Sequence, residues 1–468
     1  MATHVNPPLF DPDLLRRYDR PGPRYTSYPT APQFDVAFGQ DQLRRHLVAS
    51  NRGDPARPLS LYVHIPFCSS PCFYCGCNRV ITRDKTHGER YMDYLYREFA
   101  RMAPLMDSRR PVVQLHFGGG TPNFLSAAQI VDCVADLRSQ FTFAAPDVLE
   151  CSIELDPRFV EPGDITVLAQ AGFNRASLGV QDFDPAVQEA VNRVQGVEET
   201  LAIIDACRRD GIGSVNVDLI YGLPRQTREG FGRTLDITLQ ARPDRIAVYS
   251  YAHLPALFKP QQRIRPQDLP SPEDKLILLQ SAMEKLVAAG YAYIGMDHFA
   301  LPDDELARAQ ARGDLHRNFM GYTTQADTDL LGFGVSAISH VADSFSQNPR
   351  DIPSWESAID DGRLPVWRGM SLDADDVVRA DVIQELMCHG RLDYQRIGRR
   401  HGIAFTDYFA DALARLPALA EDGLLEFTAA GFRATARGQL LLRVIAMCFD
   451  RYLPTLPATD ASRFSRTV

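Results

Sequence analysis

Four cysteines lie within ten residues, in the stretch Cys68-Ser-Ser-Pro-Cys72-Phe-Tyr-Cys75-Gly-Cys77. The spacing of the first three lets one loop place three thiolates around a single inorganic cluster. A [4Fe–4S] cluster held by three cysteines keeps one iron open, and S-adenosylmethionine (SAM) can bind there through its amino and carboxylate groups. One electron from the reduced cluster can then cleave the S–C5′ bond to give a 5′-deoxyadenosyl radical. The motif therefore predicts one cluster on Cys68, Cys72 and Cys75.

Two other chemistries fit part of this motif. A Cys₄ zinc site would add Cys77, although zinc ligands usually come as separated CxxC pairs. A redox-active disulfide would use Cys72 and Cys75, but such a pair has no use for two further cysteines. The other five cysteines stand alone in apolar or helix-like segments and are expected to be buried hydrophobes; they are Cys133, Cys151, Cys207, Cys388 and Cys448.

Composition narrows the class of protein. The 468 residues, 45% of them hydrophobic, suffice for one large core and at least one smaller domain. A net charge of −9 gives no basic footprint for nucleic acid, and no apolar run approaches the roughly 18–20 residues of a membrane span. Nine cysteines, clustered and odd in number, without an export signal, predict a cytoplasmic protein. We expect neither a nucleic-acid nor a membrane partner, and a monomer.

Short apolar, β-branched runs alternate with segments of helical spacing. The runs are Leu61–Pro66, Val112–Phe117, Val148–Glu154, Asn174–Val180, Val215–Ile220 and Arg245–Ser250, and the helical segments are Arg90–Met106, Ser126–Gln140, Glu198–Asp210, Arg228–Gln240 and Pro272–Ala289. This alternation predicts an α/β fold of βα units, arranged as a full or partial TIM-type barrel. An open doubly wound sheet is the alternative.

The chain is predicted to divide into four parts. Residues 1–55 form an N-terminal extension that caps the barrel, 56–347 the barrel, 348–370 a linker rich in Pro, Gly and Asp, and 371–468 a mostly helical domain. A predicted hairpin at Leu424–Ala434 would suit a winged helix. However, residues 371–468 contain 12 Arg, no Lys and 13 Asp plus Glu, so a lid or packing domain is favoured over a DNA-binding one.

Polar residues follow several of the predicted strands or lie within their runs. Ligands of a TIM-type barrel bind at the carboxyl ends of its strands, so these residues are candidates for a small zwitterionic ligand. Each one taken alone also suits a helix cap or a turn. They are Gly118–Pro122, Glu154, Gln181, Asp218 and the stretch Tyr249–His253.

Longer strings resemble the oxygen-independent coproporphyrinogen III oxidases, a radical SAM family of haem biosynthesis. The likeness runs almost end to end, through Pro23–Thr30, Val63–Asn78, Gly118–Pro122, Gly179–Phe183, Asp218–Pro224, Gly295–Ala300, Asn318–Ser339 and Phe464–Arg466. The resemblance implies cluster ligands at Cys68, Cys72 and Cys75, with Cys77 near the cluster but not bound to it. It also implies two SAM molecules.

The resemblance assigns residues to each SAM. Positions matching those at the cluster-bound SAM are Tyr62, Gly119, Glu154 and Ile338, and those matching the second SAM are Tyr74, Gly120, Thr121, Gln181, Arg193, Asp218 and Ala252. Two positions depart from the family pattern. Tyr74 stands where the family has Phe, which keeps an aromatic face, and Met320 replaces Gln in NFxGYTT, which removes an amide near the expected substrate pocket.

The activity implied is the oxidative decarboxylation of two propionates of coproporphyrinogen III to vinyl groups, with an electron donor and acceptor that the sequence does not identify. The substrate's four carboxylates need cationic partners, for which Arg20, Arg24 and Arg317 are candidates. The alternatives are a haem-trafficking protein on the same scaffold, a methyltransferase or haem-degrading enzyme with two SAM molecules, and a zinc-stapled structural protein. Cys77 and the NFxGYTT string argue against the trafficking protein, in which both are usually missing.

Overall fold

The computed structural model describes residues 8–53, 56–453 and 464–467. They belong to two compact units. The larger unit comprises Phe34–Ala282 and Asp327–Ser371, and the smaller comprises Met1–Gln33, Met283–Ala326 and Leu372–Val468. The predicted boundary after residue 55 and parts of both predicted terminal segments (1–7, 454–463 and 468) lie outside the described residues. The division into extension, barrel, linker and C-terminal domain stays a prediction.

The strands are β1 Leu59–Ile65, β2 Phe67–Cys68, β3 Val80–Ile81, β4 Val112–Gly119, β5 Glu150–Leu155, β6 Arg175–Gln181, β7 Ser214–Tyr221, β8 Arg245–Ser250, β9 Ala292–Gly295, β10 His298–Ala300, β11 His316–Asn318, β12 Gly321–Thr323, β13 Asp329–Phe333, β14 Ile338–His340, β15 Ser344–Gln347, β16 Arg368–Ser371, β17 Arg391–Asp393, β18 Leu425–Phe427 and β19 Gly431–Ala434.

The α-helices are α1 Pro12–Tyr18, α2 Gln40–Ser50, α3 Thr86–Met102, α4 Ala127–Gln140, α5 Pro162–Gln170, α6 Pro185–Ala190, α7 Val197–Arg209, α8 Arg228–Ala241, α9 Pro272–Ala288, α10 Glu305–Arg312, α11 Ile352–Asp360, α12 Ala374–His389, α13 Tyr394–His401, α14 Phe405–Tyr408, α15 Ala410–Leu413, α16 Leu416–Glu421 and α17 Leu442–Ala446.

The larger unit is built on a mostly parallel sheet with the strand order β16-β15-β14-β13-β1-β4-β5-β6-β7-β8. From β1 to β8 the order in space follows the order in the chain, and each neighbouring pair is parallel. A doubly wound sheet would instead reverse its order at a switch point. The predicted α/β fold of the barrel type is confirmed, and the doubly wound alternative is wrong.

The predicted runs became strands because their apolar residues, at alternate positions, are buried in the core. Leu61, Val63 and Ile65 in β1 are fully buried, as are Leu115 and Phe117 in β4. The connecting helices begin at the expected signals. At α4, for example, Ser126 and Gln129 form a reciprocal capping box, with the Gln129 amide donating to the Ser126 hydroxyl at 3.2 Å.

One edge of this sheet is antiparallel. Strands β13 to β16 pair in sequence as a meander, and β13 also pairs with β1 in parallel. Helix α11 lies within the stretch predicted as a linker, and its Trp355 is completely buried. Glu98 of α3 connects this helix to the antiparallel edge. Its carboxylate accepts hydrogen bonds from the Trp355 indole (3.1 Å), the Gly334 amide (2.8 Å) and Asn348 (2.7 Å).

The smaller unit contains the hairpins β9–β10 and β11–β12 and the three-stranded sheet β17-β19-β18. The predicted hairpin at Leu424–Ala434 is confirmed as β18 and β19. Its longest α-helix wholly within the unit, α12, starts at Asp373, which caps the Asp376 amide at 2.8 Å, and ends at Gly390 with φ 61°. Among the residues described, no helix is both long and apolar enough to cross a membrane.

Candidate cluster and cofactor site

The larger unit has a cavity of about 210 Å³ at the carboxyl ends of its parallel strands. Most of the residues predicted to bind the cluster or SAM line it. They are Cys68, Cys72, Cys75, Tyr74, Gly119, Gly120, Thr121, Glu154, Gln181, Arg193 and Asp218, joined by Cys77. Further residues on the same wall are Ser69, Ser70, Arg79, Pro122, Leu155, Asp156, Arg158, Phe159, Ser177 and Gly179.

The cysteines lie on a loop that is closed at its base. Strands β2 and β3 pair in parallel and place Cys68 opposite Ile81. Inside the loop, the Arg79 guanidinium donates to the carbonyl oxygens of Cys72 and Cys75, each at 3.2 Å. Arg79 therefore fixes the backbone on which the later cysteines sit.

Two arginines from outside the loop face the Cys72 thiol. The distance to its Sγ is 3.6 Å from Arg158 Nη2 and 3.5 Å from Arg193 Nη1. Both also bind the buried carboxylate of Asp156, at 2.6 Å and 3.0 Å. Burial alone would raise the pKa of Asp156, but the two guanidinium groups outweigh it and hold this pKa below its usual value. Cationic neighbours stabilise a thiolate, which is the form that binds iron.

The other thiols differ in their surroundings. Burial raises the pKa of Cys68 to about 11, partly offset by a hydrogen bond with Thr121 Oγ1 at 3.3 Å. A hydrogen bond with the Cys77 thiol, together with the charge of Arg79, lowers the pKa of Cys75. The same bond raises the pKa of Cys77, which is exposed. Cys77 is thus a hydrogen-bond partner of Cys75.

Carboxylates on two of the parallel strands line the same cavity. Glu154 on β5 accepts a hydrogen bond from the Gly119 amide at 3.3 Å, and His116 Nε2 lies 3.5 Å from its other oxygen. Asp218 on β7 accepts hydrogen bonds from Ser177 (3.0 Å) and Asn216 (2.8 Å). Burial, with a smaller contribution from Glu154, raises the pKa of Asp218 to about 6.

Glycines after β4 bring the backbone to the cavity wall. Gly119 has φ 119°, and a Cβ there would lie 2.7 Å from the ring of His64. A Cβ on Gly120 would lie 2.7 Å from the backbone of Pro66. Both positions therefore exclude larger residues, and they leave amide groups next to the cysteine loop.

Arg193 reaches the cavity from the segment between α6 and α7. It is 6% exposed, and its Nη2 donates to the Gly179 carbonyl, so the guanidinium bridges β6 and the cysteine loop. Its Nε is buried and has no hydrogen-bond partner among the described residues. Gln181 at the end of β6 has φ 69°, a strained backbone that turns the chain here.

Three predicted residues do not line the cavity. Tyr62 on β1 stacks on His116 with ring centroids 5.8 Å apart. Ala252 follows β8. The side-chain amide of Gln261 donates to the Ala252 carbonyl at 3.2 Å and to the Tyr74 carbonyl at 2.8 Å. Ile338 begins β14, beside β13. The assignment of all these residues to SAM stays a prediction.

Three residues of the site were not predicted from the sequence: Arg79, Asp156 and Arg158. The cluster motif ends one residue before Asn78-Arg79, and nothing in the local pattern marks that arginine. Asp156 and Arg158 follow β5 in the stretch Glu154-Leu-Asp-Pro-Arg158, where a charged pair after a buried strand was the available signal. Their proximity to Cys72 depends on a contact across 86 residues of sequence.

The candidate carboxylate-binding residues lie in the smaller unit. Arg20 is exposed, Arg24 forms an ion pair with Asp297, and Arg317 is 5% exposed. Met320 is half-buried in the turn of the β11–β12 hairpin, where its amide donates to Asn318 Oδ1 at 2.8 Å.

The donor set of the cavity fits an iron–sulfur cluster. Four thiols from one loop share its wall with three arginines, and one of these, Arg193, has a buried Nε without a hydrogen-bond partner among the described residues. Among the described residues, no three His, Cys, Asp or Glu side chains are grouped as they would be around a single metal ion.

Comparisons with known proteins agree with this geometry. The family model of the radical SAM superfamily matches residues 62–237, and that of the HemN C-terminal domain matches residues 372–441. The chain is 50% identical over 460 residues to the oxygen-independent coproporphyrinogen III oxidase of Pseudomonas aeruginosa, covering 98% of this chain and 99% of that protein. The protein of the same name from Escherichia coli is 48% identical over 444 residues, covering 95% and 96%.

A solved structure is also similar over nearly the whole chain. It is described as coproporphyrinogen III oxidase (HemN) from Escherichia coli, a radical SAM enzyme. It matches with a TM-score of 0.90 and 48% identity, and covers 95% of this chain and 99% of that one. The similarity therefore includes both compact units.

Proposed function

The chain belongs to the oxygen-independent coproporphyrinogen III oxidases, a family of radical SAM enzymes, and on that premise we propose that it converts coproporphyrinogen III to protoporphyrinogen IX. The propionates on rings A and B would each lose a hydrogen atom from the β-carbon, one electron and CO₂, leaving a vinyl group. The observation that carries the proposal is the cavity with three thiols in a chain that matches these oxidases almost end to end.

Cys68, Cys72 and Cys75 would hold the [4Fe–4S] cluster, and Cys77 would remain outside the coordination. When bound, the cluster and SAM supply a 5′-deoxyadenosyl radical, which takes the hydrogen atom. Arg158 and Arg193 stabilise the negative charge of the Cys72 thiolate from within 3.6 Å. Arg79 orients the loop through the carbonyls it binds. An electron donor for the cluster and an acceptor for the substrate electron are also required.

The carboxylates and amides of the cavity suit a zwitterionic nucleoside. Glu154 and the Gly119 amide would contact the SAM at the cluster, with Tyr62 and Ile338 close to them. A second SAM would contact Gly120, Thr121, Gln181, Arg193 and Asp218, with Tyr74 and Ala252 at its edge. Burial of these groups strengthens each hydrogen bond because little water competes for it.

The decisive experiment is an anaerobic incubation of reduced holoenzyme with coproporphyrinogen III, SAM and a one-electron acceptor. We expect vinyl-bearing product, with 5′-deoxyadenosine formed alongside it. The Cys72→Ser variant, which lacks a cluster ligand, should form neither. A wild-type protein with an intact cluster that binds a tetrapyrrole but leaves its propionates intact would disprove the proposed oxidase activity and favour a carrier on the same scaffold.

A further inference from the structure

Arg317 is held in a fixed position within the smaller unit. It lies on β11 directly opposite Tyr322 of β12, and its guanidinium sits over the Tyr322 ring, 4.7 Å from the ring centroid. The Tyr322 hydroxyl donates to the Met387 carbonyl at 3.1 Å. Gln384 of the same helix, α12, donates to the Arg317 carbonyl at 3.1 Å. The hairpin, the tyrosine ring and α12 therefore fix the side chain together.

The guanidinium is nevertheless unsatisfied. Its Nε and Nη1 are buried without a hydrogen-bond partner among the residues that the structure describes, in a residue that is only 5% exposed. Arginine stays ionised in proteins, so burying it without an anion costs free energy. The Tyr322 face attracts the cation but accepts no hydrogen bond from these two atoms.

Two other arginines of the unit are different. Arg24 is paired with Asp297, and Arg312 is exposed and paired with Asp314 at 2.9 Å. Arg317 thus combines deep burial, a fixed orientation and two open donors. That combination is what a site for an incoming anion requires, because the cost of ordering the side chain has already been met.

We infer that Arg317 binds a carboxylate of the tetrapyrrole substrate, to which one of these two unpaired donors, Nε or Nη1, donates a hydrogen bond. The inference rests on the proposed function, which supplies a ligand carrying four carboxylates. Tyr322 is the positioning residue, since its ring holds the guanidinium plane. Lysine is a poor substitute at this position because its single ammonium group cannot stack on the ring with donors in a fixed plane.

The test measures porphyrin binding to the reconstituted holoenzyme by fluorescence titration. The probes are coproporphyrin III and its tetramethyl ester, which differ only in the free carboxylates. We expect Arg317→Met to weaken binding of the free acid about 10- to 100-fold and to leave binding of the ester unchanged. The matched control is Arg312→Met, at the exposed arginine of α10, which should change neither. Iron content and SAM binding should stay at the wild-type level.

A second readout separates ligand binding from a structural role. Without ligand, Arg317→Met should unfold at the same temperature as the wild type or higher, because an unsatisfied buried charge is removed. A lower unfolding temperature, failure to fold, or equal losses of acid and ester binding would overturn the inference. Unchanged acid binding would overturn it alone and leave the oxidase activity standing. A wild type that binds neither porphyrin would overturn both.

Discussion

Substituting lysine for Arg193 separates the positive charge of this residue from its planar set of donors. The guanidinium contacts Cys72 Sγ at 3.5 Å, Asp156 at 3.0 Å and the Gly179 carbonyl, and its Nε is buried without a partner. Lysine retains the charge but not the geometry. Since Arg193 lines the cavity, we expect its Nε to donate to a carboxylate or ribose oxygen of the second SAM.

The expected effect follows from the number of bonds lost. One hydrogen bond to a charged group contributes about 1.5–3 kcal/mol, so its loss raises the Kd of that SAM about 10- to 100-fold. The fold should survive, because Asp156 remains paired with Arg158 at 2.6 Å. The carboxylate is therefore not left as a buried unpaired charge, which would cost about 3–5 kcal/mol.

The assay is equilibrium binding of SAM to anaerobically prepared protein, expressed as SAM bound per cluster. Wild-type protein should bind two molecules, and Arg193→Lys should bind one at concentrations that saturate the wild type. Arg209→Lys is the matched control, at an exposed arginine of α7 paired with Asp210, and should bind two. Two SAM molecules bound by Arg193→Lys with unchanged affinity would refute this role of Nε.

Three further outcomes are expected. Replacing Cys68, Cys72 or Cys75 by serine should abolish iron binding, as measured by a metal assay. Cys77→Ser should keep most of the iron. Burial raises the pKa of Glu98 to about 7 from 4.5. The free energy of unfolding of the wild type should therefore fall on the order of 3 kcal/mol as pH rises through this interval. Urea unfolding of Glu98→Gln should show no such pH dependence. Burial raises the pKa of Asp218 to about 6, so the affinity for SAM should decrease as pH falls through 6. A wild-type affinity that does not change with pH, or a pH dependence that remains in Asp218→Asn, would contradict the contact between Asp218 and SAM.

The parallel strands could be predicted from sequence because their burial leaves a continuous local signal. The run Val112–Phe117 became β4, Val112–Gly119, and Arg245–Ser250 became β8 without change. Helix bounds were within a few residues for the same reason, since capping residues such as Ser126 mark the start of α4. These signals lie within a few positions of the element that they predict.

Helix α11, in the stretch predicted as a linker, could not be predicted in this way. Helix α11 begins at Ile352-Pro353 after the capping residue Asp351, and proline and aspartate are equally typical of a loop and of a helix start. What decides between them is Trp355, which is buried against Tyr91 with ring centroids 4.6 Å apart. That contact joins residues far apart in the chain, and no local pattern reports it.

The residues of the candidate site also differ in whether a local sequence pattern marks them. The cysteine spacing is local and carries its own chemistry, so the cluster was predicted from the motif alone. The carboxylates Glu154 and Asp218 could be predicted because they lie in the apolar runs Val148–Glu154 and Val215–Ile220. Asp156 and Arg158 were missed because their role depends on the distance to Cys72 Sγ, which only the folded chain defines.

The buried arginines of this protein differ in how fully their donors are hydrogen-bonded. Arg110 is 2% exposed and donates to the Arg57 carbonyl at 2.6 Å, to Ser50 at 2.8 Å and to the carboxylate of Asp329. Its charge is neutralised inside the protein, so its removal should destabilise the fold. Arg193 and Arg317 are buried almost as deeply but retain unpaired donors. A buried ionised donor without a partner is costly, and an anion that binds it would recover this free energy, which supports the proposal that both arginines contact a ligand.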